Sequence, residues 1–368
     1  MRILLATPYK QSTGGITRWA EHIVAKSLQE RTANFMLDVL PMNDPKGNDT
    51  STALHSSLFE RLRKGIRTYW QVMKALKQCL ASCRYDVLHI ASSGSISFLK
   101  DLWMMRFAKR HGVKCVVHCH FGRIPQVIAQ RGWEWRLLQW VLHAANQVMV
   151  IDQASYEAIR AQGYSHVVNV PNPLSPEVVH RVKQTEEVVR IPRRILFAGH
   201  CIKTKGVFEL VEACCRIPQI ELRMLGVIMP DVETALKQLA GKGGWVQMLG
   251  NQSFPDVLRE MCQCDLFVLP TYTEGFPNVI LESMACGCPI VTTPVGAIPQ
   301  MLEIASDKPA GVCVPVRDVD ALQHAIESLL NDPARKRLYS MRAKTYVSEK
   351  YSIDAVWSQM VAAWQTIL

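Results

Sequence analysis

The sequence predicts an α/β protein of two domains in which parallel strands alternate with helices. Three observations carry that expectation. The chain has 368 residues, enough for two domains of ordinary size, each with its own core. It opens on MRILLAT, a short apolar run followed by a loop holding Gly14 and Gly15 and then a helical pattern, which reads as buried strand, glycine loop, helix. Residues 269–298, LPTYTEGFPNVILESMACGCPIVTTPVGAI, read as strand, loop, helix, strand, and the rest of the chain is organised around them.

In that central unit the apolar run Leu266 to Leu269 ends at Pro270 and a polar turn. Glu274 follows in a Gly-Phe-Pro loop. Pro277 is expected to begin a helix, because its missing amide would have been unpaired there anyway. The helix carries Glu282 and is expected to end at Gly287, which tolerates the left-handed cap, with Pro289 preventing continuation before the strand Ile290 to Thr292. A loop at the carboxyl end of a parallel strand, leading into a helix start, is where open α/β sheets bind ligands. Such a helix start favours anions by roughly 0.3 to 1 kcal/mol, or about 2 when partly buried. Two carboxylates placed here therefore read as hydroxyl acceptors rather than stabilisers. Glu282 lies four residues after Asn278 on one helical face, whereas Glu274 precedes the helix and reaches another part of the same ligand. A polyhydroxylated sugar joined to phosphate fits both.

The run EGFPNVILE, two glutamates separated by seven residues, resembles the signature of retaining glycosyltransferase family 4. The resemblance implies a GT-B fold: two facing Rossmann-like domains with parallel sheets, and a C-terminal helix crossing back to the first. It implies that Glu274 contacts the transferred sugar, that the loop amides of Gly275 to Asn278 hold its hydroxyls, and that Glu282 binds the nucleotide ribose. Phe276, Pro277 and Val279 belong to the same donor-binding set.

Taken in order, the loop after the first strand is not GxGxxG, so the fingerprint of a dinucleotide-dependent oxidoreductase is absent. Its glycines still let backbone amides approach phosphate, and Gly14, Gly15 and Ile16 match the Gly-Gly place that borders the donor diphosphate in the family; a plain tight turn is the alternative. Met36 to Leu40 reads as a second strand and residues 41–55 as a polar loop. From Ser56 to Arg84 there are seven basic residues and one acid, with apolar residues every three or four positions from Leu58 to Leu80. That is a basic amphipathic helix, broken or weakened at Gly65. It is either an ordinary surface helix or one drawn to anionic lipid.

Tyr85 to Ala91 and Lys114 to His118 are the next strands, the second running into HCHFG. His118 and His120 share a strand face without a nearby third ligand, which argues against zinc. By resemblance His120, followed closely by Gly122, is the histidine near the donor sugar, with His118 as its rival. Residues 123–143 interleave Trp133, Trp135 and Trp140 with Arg123, Arg131 and Arg136. They form an acceptor-facing or interfacial patch, or a packed helix with Trp133, Leu137 and Trp140 on its inner face. After the strands Gln147 to Ile151 and Val167 to Pro173, ending in VPNP with Asn172 at the family's first-domain terminus, residues 174–192 read as the linker. The expected domains are 1–173 with a terminal helix at about 353–368, and 193–352.

The second domain opens on Ile195 to Gly199 and then HCIKTKGVFELVEAC. This resembles the family's Gly-Arg, loop, Lys-Gly, helix. Gly199, Lys205 and Gly206 match, but His200 stands where the arginine should. Arg and Lys normally neutralise the donor diphosphate, and a charge-assisted bond contributes about 1.5 to 3 kcal/mol. A neighbouring diphosphate would favour a charged His200. Glu221 to Gly226 and Trp245 to Gly250 are further strands, and the family reads the base with main-chain groups at the place of Gly250 and Asn251.

The net charge of +10 is unevenly placed: residues 1–190 hold 25 Lys and Arg against 14 Asp and Glu, and residues 191–368 hold 17 against 18. That field implies an anionic partner on the first domain's side. No nucleic-acid recognition module accompanies it, so nucleic acid is not the expected partner. The twelve cysteines show no paired CxxC sets and read as free, mostly buried thiols. Met1 to Ala6 has no cleavage pattern, and no run of about eighteen apolar residues occurs. The expected location is cytoplasmic, on the cytoplasmic face of a membrane.

The resulting expectation is a retaining, metal-independent hexosyltransferase without cofactor, moving a sugar from a nucleotide-sugar, a UDP-sugar by preference, to a saccharide acceptor. The basic first domain points to a lipid-linked acceptor in cell-surface polysaccharide or glycolipid biosynthesis. Glu274, His120 and Lys205 are the expected catalytic residues. The rivals are a nucleotide-sugar epimerase on the same fold and a non-catalytic partner subunit.

Overall fold

A computed structural model describes residues 1–10, 15–43, 58–184 and 188–368. Gly14 and most of the expected polar loop 41–55 lie outside them. The described chain forms two compact units, Met1–Pro173 with Ile353–Leu368, and Leu174–Ser352.

The first unit is built on six parallel strands, β1 (Arg2–Thr7), β2 (Met36–Pro41), β3 (Val87–Ser92), β4 (Lys114–Cys119), β5 (Gln147–Val150) and β6 (Val167–Asn169), in the order β2-β1-β3-β4-β5-β6. Because strand side chains alternate faces, each continuous apolar run fills two cores at once. Leu4, Ala6, Leu88, Ile90, Val117 and Val148 pack on one face, and Ile3, Leu5, Val87, Val116 and Met149 on the other. The second face is covered by helix Gly15–Gln29, through Trp19 and Ile23, and by the terminal helix Ile353–Gln365, through Val356, Trp357, Met360 and Trp364. Burying both faces is what a parallel sheet requires.

Two sequence readings are corrected in this unit. Helix Leu58–Ser82 runs unbroken through Gly65, since one glycine costs only about 1 kcal/mol in a helix interior and Val72 and Leu76 anchor the helix on the sheet. In helix Trp133–Ala144 the inner face is Trp135, Leu137, Leu138, Val141 and Leu142, so Leu137 packs as expected, while Trp133 and Trp140 are more than half exposed. The packed-helix alternative for those two tryptophans does not hold.

The second unit carries β7 (Arg194–Ala198), β8 (Glu221–Leu225), β9 (Val246–Gly250), β10 (Leu266–Leu269), β11 (Ile290–Thr292) and β12 (Val312–Cys313), all parallel, in the order β12-β11-β10-β7-β8-β9. The stretch 174–192 is not the plain linker expected. It holds helix Pro176–Gln184, begun by proline in the first turn and anchored by the buried Val178. Its Arg190 bonds the carbonyls of Cys264, Cys286 and Gly287 at 2.6, 2.8 and 2.8 Å. That guanidinium ties the start of β10 to the turn before β11. All twelve cysteines are free and eight are buried.

Candidate functional site

The second sheet builds outward from β7 in one direction to β9, then returns to β10 and builds in the other direction to β12. Its order therefore reverses between the adjacent strands β7 and β10, and the crevice outside the carboxyl ends at such a reversal is where open sheets bind ligands. The two loops that leave these strands carry Lys205 and Glu274.

After β7 the chain passes Gly199 and the exposed His200 into a single 3-10 turn, Lys203–Lys205. Gly206 then adopts φ +71°, and a Cβ there would meet the Pro270 carbonyl oxygen at 2.0 Å. After β10, the loop from Pro270 to Pro277 is fixed from the other side by Gly296, at φ +56°, whose added Cβ would lie 2.4 Å from the Glu274 carbonyl oxygen. Only glycine satisfies both the left-handed backbone and the close approach at these positions. The Tyr272 amide donates to the Thr204 carbonyl at 2.8 Å and the Ala297 amide to that of Gly275 at 2.9 Å. The loop is clamped on both flanks.

Within that clamp the Lys205 ammonium donates to Glu274 Oε1, with both side chains largely buried. The pair sits beside the start of helix Asn278–Ala285, where Pro277 is the cap residue and makes no side-chain cap bond. The helix begins one residue later than expected, because Pro277 (ψ 106°) is still extended. Asn278 Oδ1 is buried without a hydrogen-bond partner, and Glu282 is half-buried one turn further on. A cation, a carboxylate, a helix start and an unused amide oxygen thus converge on one place. They can hold an anionic group and hydroxyls together.

The structure separates the expected donor-binding residues by role. Gly275 and Asn278 border the site through backbone and polar atoms, and Val279 is half-buried in the first helical turn. Phe276 turns inward, its ring 5.9 Å from that of Tyr351, and Pro277 is buried; these two anchor the loop. Gly199, His200 and Asn251 lie just past β7 and β9 on the same edge. Sequence reading missed a second layer. Tyr272 donates its hydroxyl to Glu209, and the Arg317 guanidinium stacks 4.7 Å from the Tyr272 ring centroid. Burial and then the Glu209 bond push the Tyr272 hydroxyl up to about 12, so it remains a donor. Nothing in the local spacing of residues 209, 272 and 317 signals this contact.

In the first unit His120 stands just past β4, its amide bonded to the Ser92 carbonyl at 2.9 Å and its ring 4.3 Å from that of Trp19. Trp19 belongs to the helix that begins at Gly15 and Ile16, so these three expected residues share one face of the sheet. The rival His118 is fully buried, its Nε2 3.1 Å from the Val170 carbonyl oxygen and its ring 4.1 Å from that of His120. A third ring, His89, accepts from Trp364 Nε1 at 2.9 Å. Burial holds all three histidines below the usual range, His118 down to about 3, and the neighbouring rings lower His120 further. His120 is therefore a neutral ring. Among the described residues no group of three His, Cys, Asp or Glu is arranged to hold a metal ion, and no helix is long and apolar enough to cross a membrane.

Residues 192–332 match the family model described as "Glycosyl transferases group 1", and residues 14–178 match "Glycosyltransferase Family 4". The phosphatidyl-myo-inositol mannosyltransferase of Mycobacterium leprae is 24% identical over 301 residues, 80% of this chain and 77% of that protein. Other curated relatives are matched over about a third to a half of their length. Among solved structures, sucrose-phosphate synthase from Thermosynechococcus elongatus superposes with a TM-score of 0.73 at 19% identity, over 100% of this chain and 98% of that one. An Anabaena protein in complex with UDP superposes with a TM-score of 0.71 at 16% identity, over the whole of both chains. At these identities the structural likeness establishes a shared fold, that of the GT-B glycosyltransferases.

Proposed function

Since the chain belongs to the family 4, group 1 glycosyltransferases, we propose that it transfers a sugar from a UDP-sugar, with retention of anomeric configuration, to a lipid-linked saccharide acceptor. The observation that carries this reading is the Lys205–Glu274 pair at the reversal point of the second sheet, beside a helix start with an unpartnered Asn278 Oδ1. The diphosphate would be met by Lys205, by His200 and by the helix amides. Glu274, released from Lys205 when the diphosphate takes over the ammonium, would orient the sugar hydroxyls, and Glu282 would accept from the ribose. In a same-face transfer the leaving diphosphate oxygen takes the acceptor proton, and Lys205 stabilises the charge that develops on it. No metal is assigned a part. A neutral His120 suits contact with the transferred sugar and not with the diphosphate. The basic first half of the chain, together with a phosphatidyl-myo-inositol mannosyltransferase and a capsular polysaccharide biosynthesis glycosyltransferase among the relatives, supports an acceptor of cell-surface polysaccharide or glycolipid type.

The test is a thermal-shift panel with UDP, GDP, ADP and their sugar conjugates, followed by turnover with the selected donor. A ligand at 100 times its dissociation constant stabilises by about 2.7 kcal/mol. A selective uridine shift is expected. No shift with any nucleotide would favour the non-catalytic subunit, and donor conversion without acceptor the epimerase.

A further inference from the structure

We propose that the groove between helices Ser97–Arg110 and Trp133–Ala144 is the face by which the first unit docks on an anionic membrane surface, an inference that rests on the lipid-linked acceptor proposed above and gives it a location. The groove has a volume of about 470 Å³ and is lined by Leu99, Leu102, Trp103, Arg106, Lys109 and Trp140, with Ala144 at its end. Trp103 and Trp140 are each 57% exposed and Leu99 44%. Two open indoles facing one groove are an unusual use of surface. An indole carries an apolar body and one N–H donor, the combination that settles at the boundary between headgroups and acyl chains.

Charge decides what covers this groove. Arg106 and Lys109 lie within it. The only acids of the two helices are occupied elsewhere: Asp101 is fully buried and accepts from Ser92 at 2.5 Å, and Glu134 is held by Arg123 and Ser95. A second copy of the chain meeting this face symmetrically would bring Arg106 and Lys109 against their own counterparts. A bilayer rich in acidic headgroups meets both requirements, taking the indoles into the interface and the cations onto phosphate. The neighbouring helix Leu58–Ser82, which packs against Ser97–Arg110, adds an exposed Trp70. Open aromatic surface is thus spread over three adjacent helices, as contact with an extended surface demands.

The experiment is co-sedimentation of the full chain with vesicles of phosphatidylcholine alone and of an equimolar mixture with phosphatidylglycerol, with tryptophan emission recorded in parallel. The wild type should sediment with the anionic vesicles only, with blue-shifted emission. Each Lys or Arg near such a surface raises partitioning about fivefold, so R106A/K109A should lose on the order of thirtyfold. W103A/W140A should lose about tenfold or more. Both variants replace exposed groups and should keep the wild-type melting temperature and nucleotide shift. Wild type that ignores anionic vesicles, or W103A/W140A that sediments like wild type, overturns the inference. So does a wild-type dimer in light scattering that W103A/W140A dissolves, which would give the groove to a second copy. A nucleotide shift without vesicle binding removes the docking face and leaves the transferase; vesicle binding without any nucleotide shift does the reverse.

Discussion

Lys205 and Glu274, sixty-nine residues apart in the chain, are hydrogen-bonded to one another where the second sheet reverses its order. Each charge is therefore held in place by the other. On the function proposed above, a diphosphate would compete for the ammonium and part the pair.

Removing either partner should cost turnover more than fold. We expect Lys205→Ala and Glu274→Gln each to lower kcat by about 10² to 10³, the scale of one lost charge-stabilising contact, with melting temperatures close to wild type. Steady-state kinetics with the identified donor checks this. Wild-type turnover in both variants would remove them from the chemistry.

The glycine clamp predicts a different signature. Gly296→Ala places a Cβ against the Glu274 carbonyl at a left-handed backbone position, a strain of about 1 to 3 kcal/mol. Either the protein destabilises by that amount in urea, or the loop shifts and donor binding weakens. An unchanged unfolding midpoint together with unchanged nucleotide affinity would show that the loop is not clamped.

His200 offers a gain-of-function test. It is exposed beside Gly199, and His200→Arg supplies a permanent charge and a fork of donors for phosphate. If the diphosphate lies there, the nucleotide dissociation constant should fall about tenfold or more. A weaker or unaltered affinity would move the diphosphate away from this residue.

The buried histidines make stability pH-dependent. Burial holds His118 at about 3, and His89 and His120 also low, against about 6.5 in the unfolded chain. The unfolded state takes up these protons first. Their contribution is complete above about pH 6.5 and is lost as pH falls toward the folded values, about 2 kcal/mol at pH 5 for His118 alone. Asp101 acts in the opposite sense: burial raises it to about 6, so the native state gains on the order of 1 kcal/mol over the same interval. The sum is a loss. The melting temperature should fall between pH 7 and pH 5, and less steeply in His118→Gln, whose amide can still donate to Val170. A flat wild-type profile would contradict the burial of these rings.

Much was legible beforehand because it is local. Apolar runs of strand length, the glycine and proline stops of the central unit and the spacing of Glu274 and Glu282 are written within stretches of ten to thirty residues. They specify strand, loop and helix wherever the chain places them. The basic bias of the first half and the free cysteines are likewise properties of composition. Less was legible where two solutions share one periodicity. The tryptophans at 133, 135 and 140 fit a packed face in either of two rotations, and the neighbouring helix chose Trp135.

What the sequence alone determined, then, is the alternation of parallel strands and helices in two domains and the chemical types gathered at the Glu274 loop, because backbone preference and hydrophobic period act over a few residues. What only the tertiary structure decided is which distant groups meet. It set Lys205 on Glu274, Arg317 and Glu209 on Tyr272, and Trp364 of the last helix on His89 of β3. It also separated a solvent-sealed His118 from a half-buried His120 and left Trp103 and Trp140 open beside Arg106 and Lys109. Those outcomes follow from strand order and helix packing, which bring together residues up to 275 positions apart, and no local pattern encodes such a pairing.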